Sequence, residues 1–191
     1  MHNPKKFHNI RVKYDYERDC FNKKEMYKAL EELKCIGLNY FYKLKNKKQP
    51  NLKLHYLCLC QGAALYYAHL IDPKTNPEYC GVKDFDVWLF VSGYKFVSGY
   101  NKNYSSRKPK NEKIIAQCKP KRVDLLIYNS KEFDSENLKN NDGLIKVLQN
   151  DRNDSKRETA ICLLDKAIIE LLPDKKILYV NKEYSDEHKK C

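Results

Sequence analysis

No stretch of the chain approaches the roughly 18 consecutive apolar residues that a membrane-spanning helix needs. The opening MHNPKKFHNIRVKYD also lacks the apolar centre of a secretory signal. Neither membrane insertion nor export is expected, and the expected location is the cytoplasm. Also missing is any CxxC pair: Cys58 and Cys60 alternate within an apolar run, while Cys80 and Cys118 stand alone. Without that spacing a structural zinc site is not expected. The 5 histidines are scattered, with no two at metal-ligand spacing. Although there are 8 cysteines, 191 residues make too long a chain for a stapled mini-domain, so reduced thiols are the default.

What is present points to one globular domain spanning residues 1–191. Hydrophobic residues make up 42% of the chain, including 15 Tyr and 7 Phe, which argues for a packed interior and against global disorder. The formal net charge is +12. Its distribution is uneven: from Val91 to Val123 there are nine basic residues against one acid, Glu112. Such a segment suits a polyanion, either nucleotide phosphates or a nucleic-acid backbone. The bland alternative is a lysine-rich loop that is merely solvated.

Periodicity predicts a helix over about 22–38, with Asn22 and Glu25 as a capping box and Gly37 at its exit. Leu54 to Cys60 has strand composition, Gly62 marks a turn, and Ala63 onward has helix propensity. VKDFDVWLFV and KRVDLLIY read as two further strands. Between them lies a short repeat, VSGYKF then VSGY, read as a mobile hairpin or insertion. Helices are expected over about 142–173, including one from Ser155 to Pro173 with Ile161, Leu164, Ile168 and Leu171 on one face. KILYV is expected to add a last strand, and the tail SDEHKKC to fray. The expected fold is α+β (mixed α/β): a small mixed sheet over a core of about 52–130, flanked by helices.

The chemistry centres on GVKDFDVWLF. Acid-x-acid spacing is common in polar stretches, but Asp84 and Asp86 stand at the entry to a strand apolar on both faces. A charge in that setting is costly unless compensated. Two carboxylates on one strand face lie roughly 7 Å apart at their Cα atoms and can converge on a hard cation such as magnesium. Asp124 is a third acid inside an apolar strand, and it joins the pair if its strand lies beside the first. CQGAALYY supplies a strand, a glycine turn and a helix start, the arrangement that favours phosphate. The alternative reading has Asp84 and Asp86 as strand-edge acids paired with Lys83 or Lys121, and Asp124 bridged to Arg122 or a neighbouring lysine.

The order QGAA, KDFDVW, RVDLL resembles the nucleotidyltransferase superfamily, which includes DNA polymerase beta, tRNA-terminal nucleotidyltransferases and antibiotic or toxin nucleotidyltransferases. QGAALYY and GVKDFDVW look most like a group of uncharacterised bacterial proteins within it. The resemblance covers Leu54 to Tyr128 and implies a small mixed sheet with a phosphate-binding turn. It implies that Asp84, Asp86 and Asp124 hold two magnesium ions, and that Gly62, Ala63 and Lys83 contact a nucleoside triphosphate. The implied reaction moves a nucleoside monophosphate to a hydroxyl of RNA, protein or a small molecule. A departure from the pattern is Ala63, where a serine is usual. The rival expectation is a non-catalytic nucleic-acid-binding module using the basic 91–123 segment, with Tyr94, Tyr100 and Tyr104 as stacking platforms. A toxin-type relationship would imply an antitoxin-like protein partner.

Overall fold

A computed structural model describes residues 20–46, 49–72, 81–95, 122–135, 143–151 and 153–181. The element order among them is helix α1 (Lys23–Lys45), strand β1 (Lys53–Cys60), helix α2 (Gln61–Ile71), strands β2 (Asp84–Ser92) and β3 (Arg122–Asn129), a 3₁₀ turn (Lys131–Asp134), helices α3 (Gly143–Asn150) and α4 (Asp154–Leu163), and strands β4 (Ala167–Glu170) and β5 (Ile177–Val180). The strands form one mixed sheet in the order β3-β2-β1-β4-β5. Only β2 and β3 run parallel, and the other neighbours are antiparallel. The architecture is α+β, as expected.

Strand alternation divides the sheet into two buried faces. Leu57, Leu59, Phe85, Val87, Leu89, Val123 and Ile169 pack with α1 and α2 into one core. Cys58, Cys60, Phe90, Tyr128 and Ile168 pack with Phe133 and with Leu144, Leu148, Ala160 and Leu163 of α3 and α4 into the second. The sheet is therefore sandwiched between two helical layers, which is why β2 is apolar on both sides. Hydrogen bonds pin the layers together. Tyr66 of α2 donates to the Phe21 carbonyl at 2.8 Å and accepts from the Phe21 N–H at 3.0 Å, fixing the chain that enters α1. Tyr128 donates to the Asp151 carboxylate, tying β3 to the end of α3.

α1 begins as expected: Asn22 accepts from the Glu25 N–H at 2.9 Å, and Glu25 accepts from the Asn22 N–H at 2.8 Å. It does not stop near Gly37 but runs on to Lys45. Gly37 is buried against the sheet, and a Cβ there would lie 2.6 Å from Cδ1 of Leu57. The glycine thus permits close helix–strand approach rather than ending the helix. A second correction concerns 155–173. α4 ends at Leu163, Ile161 is 60% exposed, and Ile168 lies in β4, which pairs with both β1 and β5. Ala167–Glu170 satisfies its backbone in the sheet and buries its β-branched pair there, overriding a spacing that also fits a helix. The KILYV strand is present as β5. The VSGYKF repeat and the tail lie outside the described residues.

The Gly37 contact sets a sign that propensity alone would reverse. In an exposed helix interior Gly→Ala stabilises by about 1 kcal/mol, whereas overpacking a core costs roughly 1–3 kcal/mol. Gly37→Ala is expected to lower stability in urea unfolding, with a smaller loss when made in a Leu57→Val background. A stabilised single variant would contradict the packing role.

Candidate functional site

The parallel β2–β3 ladder pairs Asp84 with Arg122 and Asp86 with Asp124 at the Cα level, while β1 pairs Cys60 with Asp86 on the other side. Neighbouring strands are about 4.8 Å apart, and residues two along a strand are roughly 7 Å apart. Asp84, Asp86 and Asp124 therefore share one face at one end of the sheet, with Cys60 beside them. Asp124 is buried, and Asp84 and Asp86 are half-buried. The expected juxtaposition of the third acid with the pair is the one the strand register produces.

Cys60 also ends β1 and precedes α2, so the start of α2 follows directly from the strand position next to Asp86. Cys60 is extended, and Gln61 turns the chain into the helix with a φ of 67°. That left-handed conformation is uncommon outside glycine and costs on the order of 1–2 kcal/mol. No side chain of the N-cap residue bonds the first turn of α2, and that turn carries no acid. Its leading N–H groups have no partner within the helix, and its positive dipole end attracts anions.

Gly62 is exposed, its φ is not positive, and a Cβ added to it would meet no heavy atom within 4 Å. Neither backbone conformation nor packing within the protein demands a glycine there. Ala63 is 3% exposed and belongs to the α1–α2 core, so its methyl faces inward and only its N–H can serve an anion. Lys83 sits half-buried immediately before β2.

Three carboxylates suit a hard divalent cation in donor chemistry. Yet among the described residues no three acidic, His or Cys side chains converge as a ready metal cage. Like charges at this spacing repel. Asp86, Asp124 and Lys83 each already take part in an interaction, so none of them stands free. The face supplies the donors without gathering them. Beside them, burial first, then the neighbouring Cys58 and Asp86, pushes the Cys60 thiol well above its ordinary value, which keeps it protonated and unreactive. Most of the basic 91–123 segment, with Tyr100 and Tyr104, lies outside the described residues, while Tyr94 is half-buried.

A second polar constellation, at the far end of the sheet, escaped sequence reasoning. A register shift between Leu54 and Tyr56 re-aims His55, whose Nε2 lies 2.8 Å from the Oγ of Ser92 and 3.8 Å from Asp134. Ser92 hydrogen-bonds Asp134, and Lys53 holds that carboxylate at 2.9 Å. The hydroxyl proton thus goes to Asp134, so Nε2 is assigned as the donor to Ser92. This polarity is opposite to that of a histidine base activating a serine, and Ser92 is fully buried. The cluster ties β1, β2 and the 3₁₀ turn together. Its only sequence signal was a lone histidine in a strand, since the shift depends on pairing.

Burial, as the largest cause, holds the His55 imidazole below 6.5, against the attraction of Asp134. Between that lowered value and 6.5 the unfolded chain binds a proton that the folded chain refuses. Stability should therefore fall as pH drops through this window, by at most about 1.4 kcal/mol per pH unit for one proton. His55→Gln should flatten this part of a urea-unfolding pH profile, and an unchanged profile would contradict the assignment.

No protein-family model, curated protein or solved structure matches the chain.

Proposed function

We propose that the chain is a metal-dependent nucleotidyltransferase that moves a nucleoside monophosphate from a triphosphate to a hydroxyl acceptor. The observation that carries this reading is the register that sets Asp124 beside Asp86, next to the uncapped start of α2. An anion-binding helix start and a set of hard cation ligands on adjoining strand ends are the two parts that triphosphate chemistry requires. A structural salt-bridge network would explain the acids, but it would not explain the exposed glycine at the helix start.

In this reading the acceptor hydroxyl gives its proton to solvent water and its oxygen attacks the α-phosphorus, the bond to the β-phosphate bridging oxygen breaks, and pyrophosphate leaves with that electron pair. Asp84, Asp86 and Asp124 would hold the magnesium ions, which when bound supply positive charge to the triphosphate and lower the pKa of the acceptor hydroxyl. The N–H groups of Gly62 and Ala63 would bind phosphate oxygens, with the bare Gly62 leaving room for their approach. Lys83, just before β2, would add positive charge. The basic 91–123 segment would attract a polyanionic acceptor, and the same charge makes nucleic-acid binding without catalysis the rival reading.

The test is incubation with each α-labelled nucleoside triphosphate, magnesium and total RNA or protein. Label transfer is expected in the wild type, with a loss of at least about 100-fold in Asp84→Asn, as for removal of a principal charge-stabilising group. Gly62→Ala should also impair transfer while leaving the melting temperature unchanged or higher, because the added methyl meets only open space in the protein. Tight, steeply salt-dependent nucleic-acid binding with no transfer and no magnesium-dependent triphosphate binding would establish the rival instead.

A further inference from the structure

The residue at the β1–α2 junction with a positive φ is Gln61, although a glycine stands one position later. A left-handed glutamine persists only where its surroundings over-determine it, and here its side chain provides the constraint. Gln61 Nε2 donates to the carbonyl of Cys162 in the last turn of α4, 101 residues away. The two residues that follow α4 are held by Asn181, whose Nδ2 donates to the carbonyls of Asp165 at 2.9 Å and Leu164 at 3.4 Å. Ala160 and Leu163 anchor α4 in the core on the acid-bearing face of the sheet. One amide therefore joins the start of α2, beside the acids, to the end of the helix that covers their face.

We infer that Gln61 is a positioning residue, a latch through which the last turn of α4 and the first turn of α2 open and close as one unit. Its twisted backbone orients the leading N–H groups of α2, and its side chain gives the Cys162 carbonyl a second donor beside the Asp165 N–H, which reaches it at 3.3 Å. Breaking the latch frees the left-handed turn to relax, so the loss appears at both ends. The coupling stands on geometry alone. Its consequence for a ligand rests on the reading of this turn as a triphosphate site.

Native-state amide hydrogen exchange on the full chain tests the coupling. Gln61→Glu keeps the side-chain length but sets a carboxylate against the Cys162 carbonyl, and Gln61→Lys restores a donor. The amides of Leu65 and Tyr66, which bond back to the first residues of α2, and those of Leu164 and Asp165 are expected to exchange at least about tenfold faster together in Gln61→Glu, a loss comparable to one hydrogen bond. Protection should return in Gln61→Lys. If Gln61→Glu does not fold, Gln61→Met, which keeps the side-chain length and the strained backbone but removes the donor, replaces it with the same expectation. Acceleration confined to one end, or absent from both, overturns the latch.

The chain has 1 tryptophan, Trp88, two residues beyond Asp86 on the same face, so its fluorescence reports on the site. Titration with magnesium and each of the four common nucleoside triphosphates should show affinity weakened about tenfold in Gln61→Glu and recovered in Gln61→Lys. Unchanged affinity in Gln61→Glu overturns the positioning role. A wild-type chain that responds to no triphosphate overturns the nucleotidyltransferase reading instead, and the exchange result then decides the latch by itself.

Discussion

The in-register parallel pairing of β2 with β3 is the constraint on which the candidate site depends. It sets two carboxylates on neighbouring strands at one level of the sheet, an arrangement that self-repulsion disfavours. A slip of one residue would turn Asp124 to the opposite face, among the α1–α2 core residues, and turn Val123 toward the second core. The hydrophobic alternation of β3 therefore enforces the position of its acid. Burying Leu89, Phe90 and Val123 on their respective faces holds the charges together, and each fully buried side chain of this kind contributes roughly 1.5–3 kcal/mol. Packing energy and chemical geometry are coupled in the same eight-residue ladder.

The antiparallel partner completes the arrangement. β1 delivers Cys60 beside Asp86, so the helix that follows starts at the acid end of the sheet. Without β1 in this register, the acids and the uncapped helix start would be unrelated features. The opposite end is stabilised by a different polar network, His55, Ser92, Asp134 and Lys53, whose donors and acceptors satisfy one another. The two ends of one sheet thus contrast: the far end is a closed network, whereas the acid end pairs like charges beside helix donors left without a side-chain cap.

Much of this was legible in the sequence, for identifiable reasons. The capping box of α1, the three central strands and the three acids are local signals, and local signals survive into the fold. Long-range contact decided the rest. Gly37 reads as a helix exit until Leu57, twenty positions on, is seen against it. Ile161, Leu164, Ile168 and Leu171 fit a helical face, but β1 and β5 claim Ala167–Glu170. Gly62 marked the turn correctly, yet the left-handed residue is Gln61, whose constraint comes from α4. The inward-facing methyl of Ala63 likewise follows from its place in the core that α1, α2 and the sheet share rather than from the QGAA motif.

The central claim is that Asp84, Asp86 and Asp124 act as one cation-binding unit beside a triphosphate-binding turn. Electron paramagnetic resonance with manganese(II), standing in for magnesium at oxygen ligands, tests it most directly. The account predicts that manganese binds the wild-type chain more tightly when a nucleoside triphosphate is present, and that Asp124→Asn weakens this binding. Manganese binding unaffected by triphosphate, and equal in the wild type and Asp124→Asn, would contradict the account.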